Sequence, residues 1–467
     1  MARRGQWKPY GQLVELDVES CGSTGEGIAT LDTYRYRVWG ALPGERVEAR
    51  IIGRKVGWRM AVVEQLLRPS PQRVASRCEV FGVCGGCSWQ SLDYPAQLAQ
   101  LESRVRGGLS LAGVDVDDAC WAPAVGSAQT FHYRGKIELT FGGEPGALKL
   151  GFNRRGRYWE VVDVRECHIG PPVNAEVIRR VRAWADERGL APYRQRGHEG
   201  FLRYLVLRQQ QTVEPKRWLA ALVTTSPTTQ AWGQEALAAS LADVEPSGSL
   251  LWVRSDTVSQ AVRVEACETL LGDGRLTERL GDVTYTLGLE SFFQANAVMA
   301  ERLVALVRER VLAGPHDVVA DLYCGVGTIA LAMAHDCASI VGVEFVAAAV
   351  ADAQANALAH GWEHITFIEG AAERHVWSPE TQVIILDPPR SGLHPRLPRR
   401  LLESPVERVI YVSCSLEALA RDLAVLAPRY AVVFAQCIDM FPHTPHVETV
   451  VELRARPDGG LPAAGGE

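Results

Sequence analysis

Residues 318–328 read VVADLYCGVGT, a short β-branched run that ends at an acidic residue and passes into two closely spaced glycines. This order is typical of the first strand, turn and helix of a nucleotide-binding α/β sheet. The dinucleotide fingerprint is incomplete, because Ala330 stands where it has its third glycine. Glu344 lies 19 residues after Gly325 and closes the next run, where a carboxylate can bind both ribose hydroxyls. The stretch therefore predicts a site for S-adenosylmethionine rather than for a nicotinamide dinucleotide.

Further β-branched runs follow this stretch and are separated by helical spacers, which include a helix to 335 and a helix near 346–360. Such alternation indicates an open, mostly parallel α/β sheet. The remaining predicted strands are 340–344, 365–368, 383–387, 409–412, 431–434 and 449–453.

Three reactive side chains lie at the ends of these predicted strands. Asp387 ends the fourth strand, Cys414 follows the fifth and Glu448 begins the last. A thiolate that adds to carbon 6 of a pyrimidine makes carbon 5 nucleophilic toward a sulfonium methyl, and a base then removes the carbon 5 proton. A buried cysteine is more often a small apolar residue, but a carboxylate on the same rim favours methylation of pyrimidine carbon 5.

Upstream of the sheet, residues 9–67 alternate apolar runs with Gly and Pro, which predicts about five short strands closing into a small barrel. Helices are predicted at 96–113, 173–188 and 230–243 within a mostly strand-like middle segment.

Charge is distributed unevenly along the 467 residues, whose formal net charge is −6. Residues 131–217 carry 17 Lys and Arg against 10 Asp and Glu, whereas residues 218–467 are acidic. A basic segment before an acidic enzyme domain suits a protein that holds a polyanion, although a solvated Arg-rich face explains it equally well. In 131–136 and 153–159 cations alternate with aromatic residues, a mixture that binds phosphates and stacks unpaired bases.

The sequence also predicts the cellular compartment. No run approaches the 18 or more apolar residues of a membrane span, and the N-terminus lacks the apolar core of a signal peptide. We therefore expect a cytoplasmic protein that does not associate with membranes.

Eleven cysteines are too few for a disulfide scaffold, so their grouping matters more than their number. Cys78, Cys84 and Cys87 lie within ten residues among glycines, and Cys167 follows eighty residues later. Four thiolates can hold zinc or an iron-sulfur cluster, and the spacing does not choose between them.

Taken together, the motifs resemble those of the S-adenosylmethionine-dependent RNA (uracil-5-)-methyltransferases, a family that includes the 23S rRNA and tRNA 5-methyluridine enzymes. The resemblance covers nearly the whole chain. Its most specific parts are Phe292-Phe293-Gln294-x-Asn296, residues 321–328, Asp387-Pro388-Pro389-Arg390, Tyr411-Val412-Ser413-Cys414 and Phe441-Pro442-x-Thr444-x-His446-x-Glu448.

The resemblance implies roles for individual residues. Cys414 would be the nucleophile and Glu448 the base. Cys78, Cys84, Cys87 and Cys167 would hold a four-iron, four-sulfur cluster, which favours that cluster over zinc. The residues implied to contact S-adenosylmethionine are Gln294, Tyr323, Thr328, Glu344 and Asp387.

Two departures from the family pattern concern loops. Ser415-Leu416 follows the cysteine where relatives usually have Asn-Pro, which leaves the chemistry intact but changes the loop. Residues 370–372 are Gly-Ala-Ala where relatives often have a polar cofactor ligand, so no site is assigned there.

The resemblance also implies a multidomain fold. We expect a small OB-like TRAM β-barrel that binds RNA (1–68), a central α+β domain with the iron-sulfur site and a basic RNA-binding surface (69–285), and a C-terminal α/β Rossmann-like class I methyltransferase domain (286–456). A disordered tail (457–467) is expected to follow.

The predicted reaction is methylation of carbon 5 of a specific uridine in structured RNA, with 23S rRNA as the favoured substrate and tRNA as the alternative. No obligate protein partner is implied. An exocyclic-amine RNA methyltransferase is the second hypothesis, but Arg390 replaces the aromatic residue that such enzymes place after Asp-Pro-Pro, and Cys414 would have no use. The third, a non-catalytic RNA-binding iron-sulfur protein, would not need Cys414 and Glu448 on one rim.

Overall fold

The computed structural model describes residues 11–227, 232–259, 262–291, 293–314 and 316–457. The first ten residues of the predicted barrel domain and Phe292 of the quoted motif lie outside the described residues. The same holds for the predicted tail beyond residue 457.

The N-terminal segment forms a closed five-stranded barrel, as predicted, with strand order β1-β2-β3-β5-β4. Alternate side chains of each strand point inward, and Val18, Tyr36 and Val38 are almost fully buried in its core. The strands are β1 (Leu13–Cys21), β2 (Gly27–Leu31), β3 (Tyr34–Trp39), β4 (Arg46–Lys55) and β5 (Trp58–Arg68).

The central segment is built on a seven-stranded sheet with the order β12-β11-β10-β9-β6-β7-β8. Helices α2 (Val173–Glu187) and α3 (Gln234–Leu241) pack on one face, where Trp184 and Leu237 are buried. The strands are β6 (Lys136–Glu144), β7 (Ala147–Arg154), β8 (Arg157–Asp163), β9 (Leu202–Gln209), β10 (Trp218–Thr224), β11 (Gly248–Arg254) and β12 (Ala266–Leu271).

The C-terminal segment contains the expected α/β sheet, whose described strands have the order β17-β16-β15-β18-β19-β21-β20. The first five strands of this order are parallel, while β21 runs antiparallel to both β19 and β20. The strands are β15 (Val318–Leu322), β16 (Ser339–Glu344), β17 (Ile365–Glu369), β18 (Val383–Leu386), β19 (Arg408–Ser413), β20 (Tyr430–Ile438) and β21 (Glu448–Ala455).

Helices connect these strands. The helix predicted to reach 335 is regular only over α5 and continues as turns in which Met333, Ala334 and Asp336 each donate to the carbonyl three residues back. The helices are α4 (Ala297–Leu312), α5 (Thr328–Ala332), α6 (Ala347–Ala359), α7 (Arg396–Glu403) and α8 (Leu416–Leu426).

Helix α1 (Tyr94–Leu111) and the hairpin of β13 (Leu276–Leu280) and β14 (Val283–Leu287), which begin before residue 286, pack against the C-terminal sheet. Helix α1 shares a core with α8, and the chain after it extends the sheet edge, since Ala122 and Val125 donate to carbonyls of β20. The hairpin shares a core with α4. The proposed boundary at 285/286 stays a prediction, and these contacts cross it.

In the described part of the chain, none of the helices combines the length and the apolar composition needed to cross a bilayer.

Candidate active site

The glycine-containing turn predicted from 318–328 lies at the carboxyl end of β15. Tyr323, Gly325 and Gly327 all have positive φ angles, of 72°, 56° and 80°, so the backbone folds back tightly before Thr328 begins α5. The Glu344 carboxylate at the end of β16 accepts the N–H of Gly325 at 3.1 Å and of Val346 at 2.9 Å. Glu344 therefore fixes the turn at the carboxyl ends of the strands, where open α/β sheets bind their ligands.

Buried carboxylates surround this turn. Asp321 is fully buried and accepts the N–H of Ala330 at 3.1 Å, while its Oδ1 has no hydrogen-bond partner among the described residues. Burial, together with the nearby charge of Asp387, raises the pKa of Asp321 to about 7. Burial likewise raises the pKa of Asp387 to about 7. A cation bound near Asp321 and Asp387 would stabilise the ionised form of both carboxyls and lie beside the unpartnered Asp321 Oδ1.

The predicted nucleophile and base are neighbours on the same sheet edge. Ser413 on β19 pairs with Thr449 on β21, which brings the adjacent Cys414 and Glu448 together. Glu448 is 6% exposed, and burial and Asp387 raise its pKa to about 8. Burial, then Glu448 and Asp387, raises the pKa of the half-buried Cys414 thiol to about 11.

A nearby cation opposes these shifts. The positive charge of Arg390 lowers the pKa of both Cys414 and Glu448, so the guanidinium stabilises the anionic form of each. Arg390 follows the Asp-Pro-Pro sequence, at the position where amine methyltransferases have an aromatic residue. From this position its charge interacts with both the predicted nucleophile and the predicted base.

The loop before Glu448 is held by residues that sequence reasoning missed. His443, whose φ is 68°, accepts the backbone N–H of Ser88 at 2.9 Å and of Trp89 at 3.0 Å. Its own N–H donates to Gln97 Oε1 at 2.8 Å, and its Nδ1 lies 3.1 Å from Gln97 Nε2. Gln97 is almost fully buried on α1 with its polar groups hydrogen-bonded, and nothing in the sequence alone identifies it.

Other side chains fix the same loop. Tyr94 donates to Asp439 at 2.9 Å, Tyr133 donates to the carbonyl of Pro442 at 3.0 Å, and Asn296 Nδ2 donates to the carbonyl of Met440 at 3.1 Å. Asn296 also caps α4, because its side chain accepts the N–H of Met299.

Gln294, one of the predicted cofactor ligands, lines a cavity formed with segments that precede the C-terminal sheet. Arg208 and Glu278 of these segments line the same small cavity. The role of Gln294 toward S-adenosylmethionine stays a prediction, as do the roles of Tyr323, Thr328, Glu344 and Asp387.

The four cysteines of the predicted metal site line a single cavity of about 130 Å³. In the described ranges, no three His, Cys, Asp or Glu side chains stand close enough together to hold one metal ion. The backbone N–H of Gly86 donates to Cys84 Sγ at 3.4 Å. The structure therefore places the four thiols around a cavity rather than around a point, and their role as metal ligands stays a prediction.

The family was tested by comparison with known proteins. A model of the tRNA (uracil-5-)-methyltransferase family matches residues 273–378 and 375–456. Over 94% of this chain and 96% of its own length, an uncharacterised RNA methyltransferase of Chlorobaculum tepidum is 34% identical. The chain belongs to the RNA (uracil-5-)-methyltransferase family. It is an S-adenosylmethionine-dependent RNA methyltransferase.

Further similarities to this methyltransferase extend over the whole fold. Another uncharacterised RNA methyltransferase, from Caldanaerobacter subterraneus, is 33% identical over 94% of the chain and 98% of its own length. A crystal structure of the Pyrococcus abyssi tRNA (uracil-54, C5)-methyltransferase in complex with S-adenosyl-L-homocysteine superposes with a TM-score of 0.74. That protein is 28% identical, and the match covers 94% of this chain and all of that one. The multidomain, Rossmann-like fold class is thereby supported.

The Gly325 turn yields a test of where the methyltransferase binds its cofactor. A Cβ at Gly325 meets no atom within 4 Å, whereas at Gly327 it would lie 2.6 Å from the Phe367 ring. We expect Gly325→Ala to cost only about 1 kcal/mol of stability yet weaken S-adenosylmethionine binding at least tenfold, because the methyl group occupies the open face of the turn. Gly327→Ala should lower the melting temperature through the clash.

Gly57→Ala is the matched control, because Gly57 also has a positive φ and open surroundings but lies in the barrel. Calorimetric titration measures the affinity for S-adenosylmethionine, and thermal unfolding measures the stability of each variant. Unchanged cofactor affinity in Gly325→Ala would contradict cofactor binding at this turn.

Proposed function

We propose that this methyltransferase acts on carbon 5 of a specific uridine in structured RNA through a covalent adduct with Cys414. The observation that carries the proposal is the pairing of β19 with β21, which sets the Cys414 thiol beside the Glu448 carboxylate at the carboxyl edge of the sheet. The exocyclic-amine hypothesis leaves this thiol without a role.

In this proposal Cys414 starts the reaction. Its thiolate adds to carbon 6 of the uracil, and the electron pair of the 5,6 double bond moves toward carbonyl oxygen 4 to give an enolate. Arg390 favours the thiolate electrostatically. S-adenosylmethionine, when bound, supplies an electrophilic methyl group on a sulfonium.

Glu448 completes the reaction. Once carbon 5 carries the methyl group, the carboxylate of Glu448 accepts the carbon 5 proton, the 5,6 double bond re-forms and the bond between carbon 6 and Cys414 Sγ breaks. Glu448 is suited to this step, because burial and Asp387 raise its pKa and so strengthen it as a base. Cys414 leaves as a thiolate, ready for another turnover.

For cofactor binding we propose Gln294, Tyr323, Thr328, Glu344 and Asp387. The unpartnered Oδ1 of Asp321 and the raised pKa values of Asp321 and Asp387 support a cationic ligand at this edge. A sulfonium provides that positive charge, whereas the demethylated product does not.

We propose that Cys78, Cys84, Cys87 and Cys167 hold a four-iron, four-sulfur cluster. Zinc requires four sulfurs within about 2.3 Å of one ion, and the thiols here do not converge in that way. A cavity of about 130 Å³ lined by all four thiols suits a larger group. The N–H donated to Cys84 Sγ is of the kind that tunes a cluster.

We propose structured RNA as the substrate, without a choice between rRNA and tRNA. The family model is named for tRNA, and the solved structure is of an enzyme for tRNA uracil 54. The preference for 23S rRNA over tRNA stays a prediction, and mapping 5-methyluridine in both RNAs from a strain lacking the gene distinguishes them.

The covalent mechanism predicts trapping of an adduct. RNA with fluorine at uridine carbon 5 should remain bound to Cys414 after methyl transfer, because Glu448 then has no carbon 5 proton to remove. Cys414→Ala should lower methylation by at least about 1,000-fold and form no adduct. Glu448→Gln should accumulate adduct with ordinary RNA, because the amide cannot accept the proton.

Denaturing gels and mass spectrometry of RNase-treated protein measure the adduct. Cys267→Ala serves as a control, because Cys267 is exposed on β12. Appreciable uridine methylation by Cys414→Ala would refute the nucleophile assignment.

The raised pKa of Glu448 predicts how adduct release depends on pH. The base acts only when ionised, so below its pKa of about 8 the release rate should fall about tenfold per pH unit, and above it the rate should level off. Single-turnover release between pH 6 and 9.5 measures this. Glu448→Gln should show slow release without the inflection at pH 8; a wild-type profile that is flat from pH 6 to 9.5 would contradict the assignment of the base.

The cluster proposal predicts colour and composition. Anaerobically purified protein should be brown, with broad absorbance at about 400 nm and about four irons and four acid-labile sulfides per chain. Cys84→Ser should lose most of this absorbance. Stoichiometric zinc in a colourless, active preparation would contradict the cluster.

A further inference from the structure

One face of α1 contacts the chain on both sides of the predicted active site. Gln97, Arg104 and Gly108 are spaced by seven and four residues, so they lie on the same face of the helix. This face meets the loop that precedes Glu448 and also the start of α8, which follows Cys414. A single helix therefore supports both the predicted base and the predicted nucleophile.

On the side of the base, α1 holds the loop before Glu448 at two points. Gln97 Oε1 accepts the backbone N–H of His443 at 2.8 Å, and Arg104 Nη1 donates to the carbonyl of Pro445 at 2.8 Å. Because these two contacts come from successive turns of one helix, they fix the distance of the loop from α1.

On the side of the nucleophile, α1 receives a side chain from α8. A Cβ at Gly108 would lie 2.6 Å from Leu416 Cδ2, 2.8 Å from Cδ1 and 2.9 Å from Cγ, so the leucine occupies the space that a side chain would need. A Cβ at the neighbouring Gly107 would meet no atom of the described residues within 4 Å. The close packing is therefore specific to Gly108.

The segment between β19 and α8 connects Leu416 to Cys414. Ser413 Oγ accepts the N–H of Ser415 at 3.2 Å and donates to its carbonyl at 3.0 Å, which closes a small ring around Cys414. Ser415 also caps α8, because its side chain accepts the N–H of Ala418 at 3.3 Å. The thiol is thus tied to the start of the helix, so a shift of Leu416 moves Cys414.

The identity of residue 416 decides how this segment is held. Relatives usually have proline here, and proline fixes its own φ at the first position of a helix. Leu416 lacks that restriction, so the start of α8 depends instead on the contact with Gly108. The backbone itself would accept proline, because Ser415 is extended, with φ of −137° and ψ of 110°, as a residue before proline must be.

We propose that Gly108 and Leu416 are positioning residues, which hold Cys414 in place relative to Glu448 through the face of α1. This role rests on the proposed function, in which Cys414 is the nucleophile and Glu448 the base. Gly108 and Leu416 act through the backbone and not on the substrate. Their contact matters for the rate because a misplacement of reacting groups by about 1 Å can cost about 100-fold.

The test uses variants of the full chain and transcripts of tRNA and 23S rRNA that carry 5-fluorouridine in place of uridine. Gly108→Ala should slow adduct formation at saturating RNA and S-adenosylmethionine at least about tenfold, with the affinity for both unchanged, because the new methyl group displaces Leu416. Gly107→Ala is the matched control and should form adduct at the wild-type rate. Adding Leu416→Pro to the Gly108→Ala chain should restore the rate to within about threefold of wild type.

Alkylation by iodoacetamide reports the position of the Cys414 thiol without any reaction on RNA. Burial is the main cause that raises the pKa of Cys414 to about 11, so a shift that exposes the thiol should speed its alkylation in Gly108→Ala about threefold or more, and Leu416→Pro should reverse this. Mass spectrometry of the Cys414 peptide measures the rate, with the exposed Cys267 as reference. Unchanged alkylation of the buried Cys437 identifies the shift as local.

Three results would overturn the positioning role. They are equal adduct rates in the Gly108→Ala and Gly107→Ala chains, a loss that persists after Leu416→Pro is added, and alkylation of Cys414 at the wild-type rate in Gly108→Ala. If the Gly108→Ala chain does not fold, Leu416→Ala replaces it. This variant leaves the space beside Gly108 empty and should slow adduct formation at least about threefold, and a wild-type rate in it would overturn the role as well.

Failure of the proposed function gives a different result. If the wild-type protein forms no adduct while the alkylation rates follow the expected pattern, Cys414 is held by α1 but is not the nucleophile. If the wild-type protein forms adduct and Gly108→Ala forms it equally fast, the nucleophile assignment stands and the positioning role is refuted.

Discussion

The geometry of the active site depends on the hydrogen bonds that His443 makes to the segment after Cys87. A non-glycine residue with φ of 68° is strained by about 1–2 kcal/mol, so its surroundings must hold it there. Two backbone N–H groups, from Ser88 and Trp89, and the buried Gln97 amide do so. Without these hydrogen bonds, the loop would not keep the conformation that places Glu448, the first residue of β21, beside Cys414.

This arrangement joins three parts of the chain that are distant in sequence. Trp89 is fully buried and its Nε1 donates to the carbonyl of Gly25 in the barrel, while Ser88 Oγ donates to the carbonyl of Thr24. The same two residues contact His443 through their backbone. The barrel, the cysteine loop and the loop before Glu448 are therefore connected by hydrogen bonds through Ser88 and Trp89.

The sequence predicted the parts of this structure that local patterns specify. The β-branched runs and glycines around Gly325, the five-stranded barrel and the succession of strands along the C-terminal segment depend on side-chain periodicity and turn chemistry, which are readable along the chain. The grouping of Cys167 with the three earlier cysteines came from the family resemblance. The structure places all four around one cavity.

What the sequence did not predict are contacts between segments far apart in the chain. Helix α1 has an ordinary helical pattern, yet Gly108 lets it approach the Leu416 side chain of α8 so closely that a Cβ there would lie 2.6 Å away. Its Gln97 looks like any polar residue until the fold buries it against His443. Such contacts depend on tertiary packing, which local sequence preferences do not predict.

Electrostatics explain how one buried edge can serve both halves of the proposed reaction. Burial raises the pKa values of Asp321, Asp387 and Glu448, and the charge of Asp387 adds to the shifts of the other two; a bound sulfonium cation would offset these shifts. A sulfonium bound near Glu448 would favour the ionised carboxylate. In the proposed reaction, methyl transfer would remove that positive charge, and the pKa of Glu448 would then return to about 8, its value in the protein alone. A solvent-exposed glutamate would be a weaker base, because burial is the main cause of the raised pKa of Glu448.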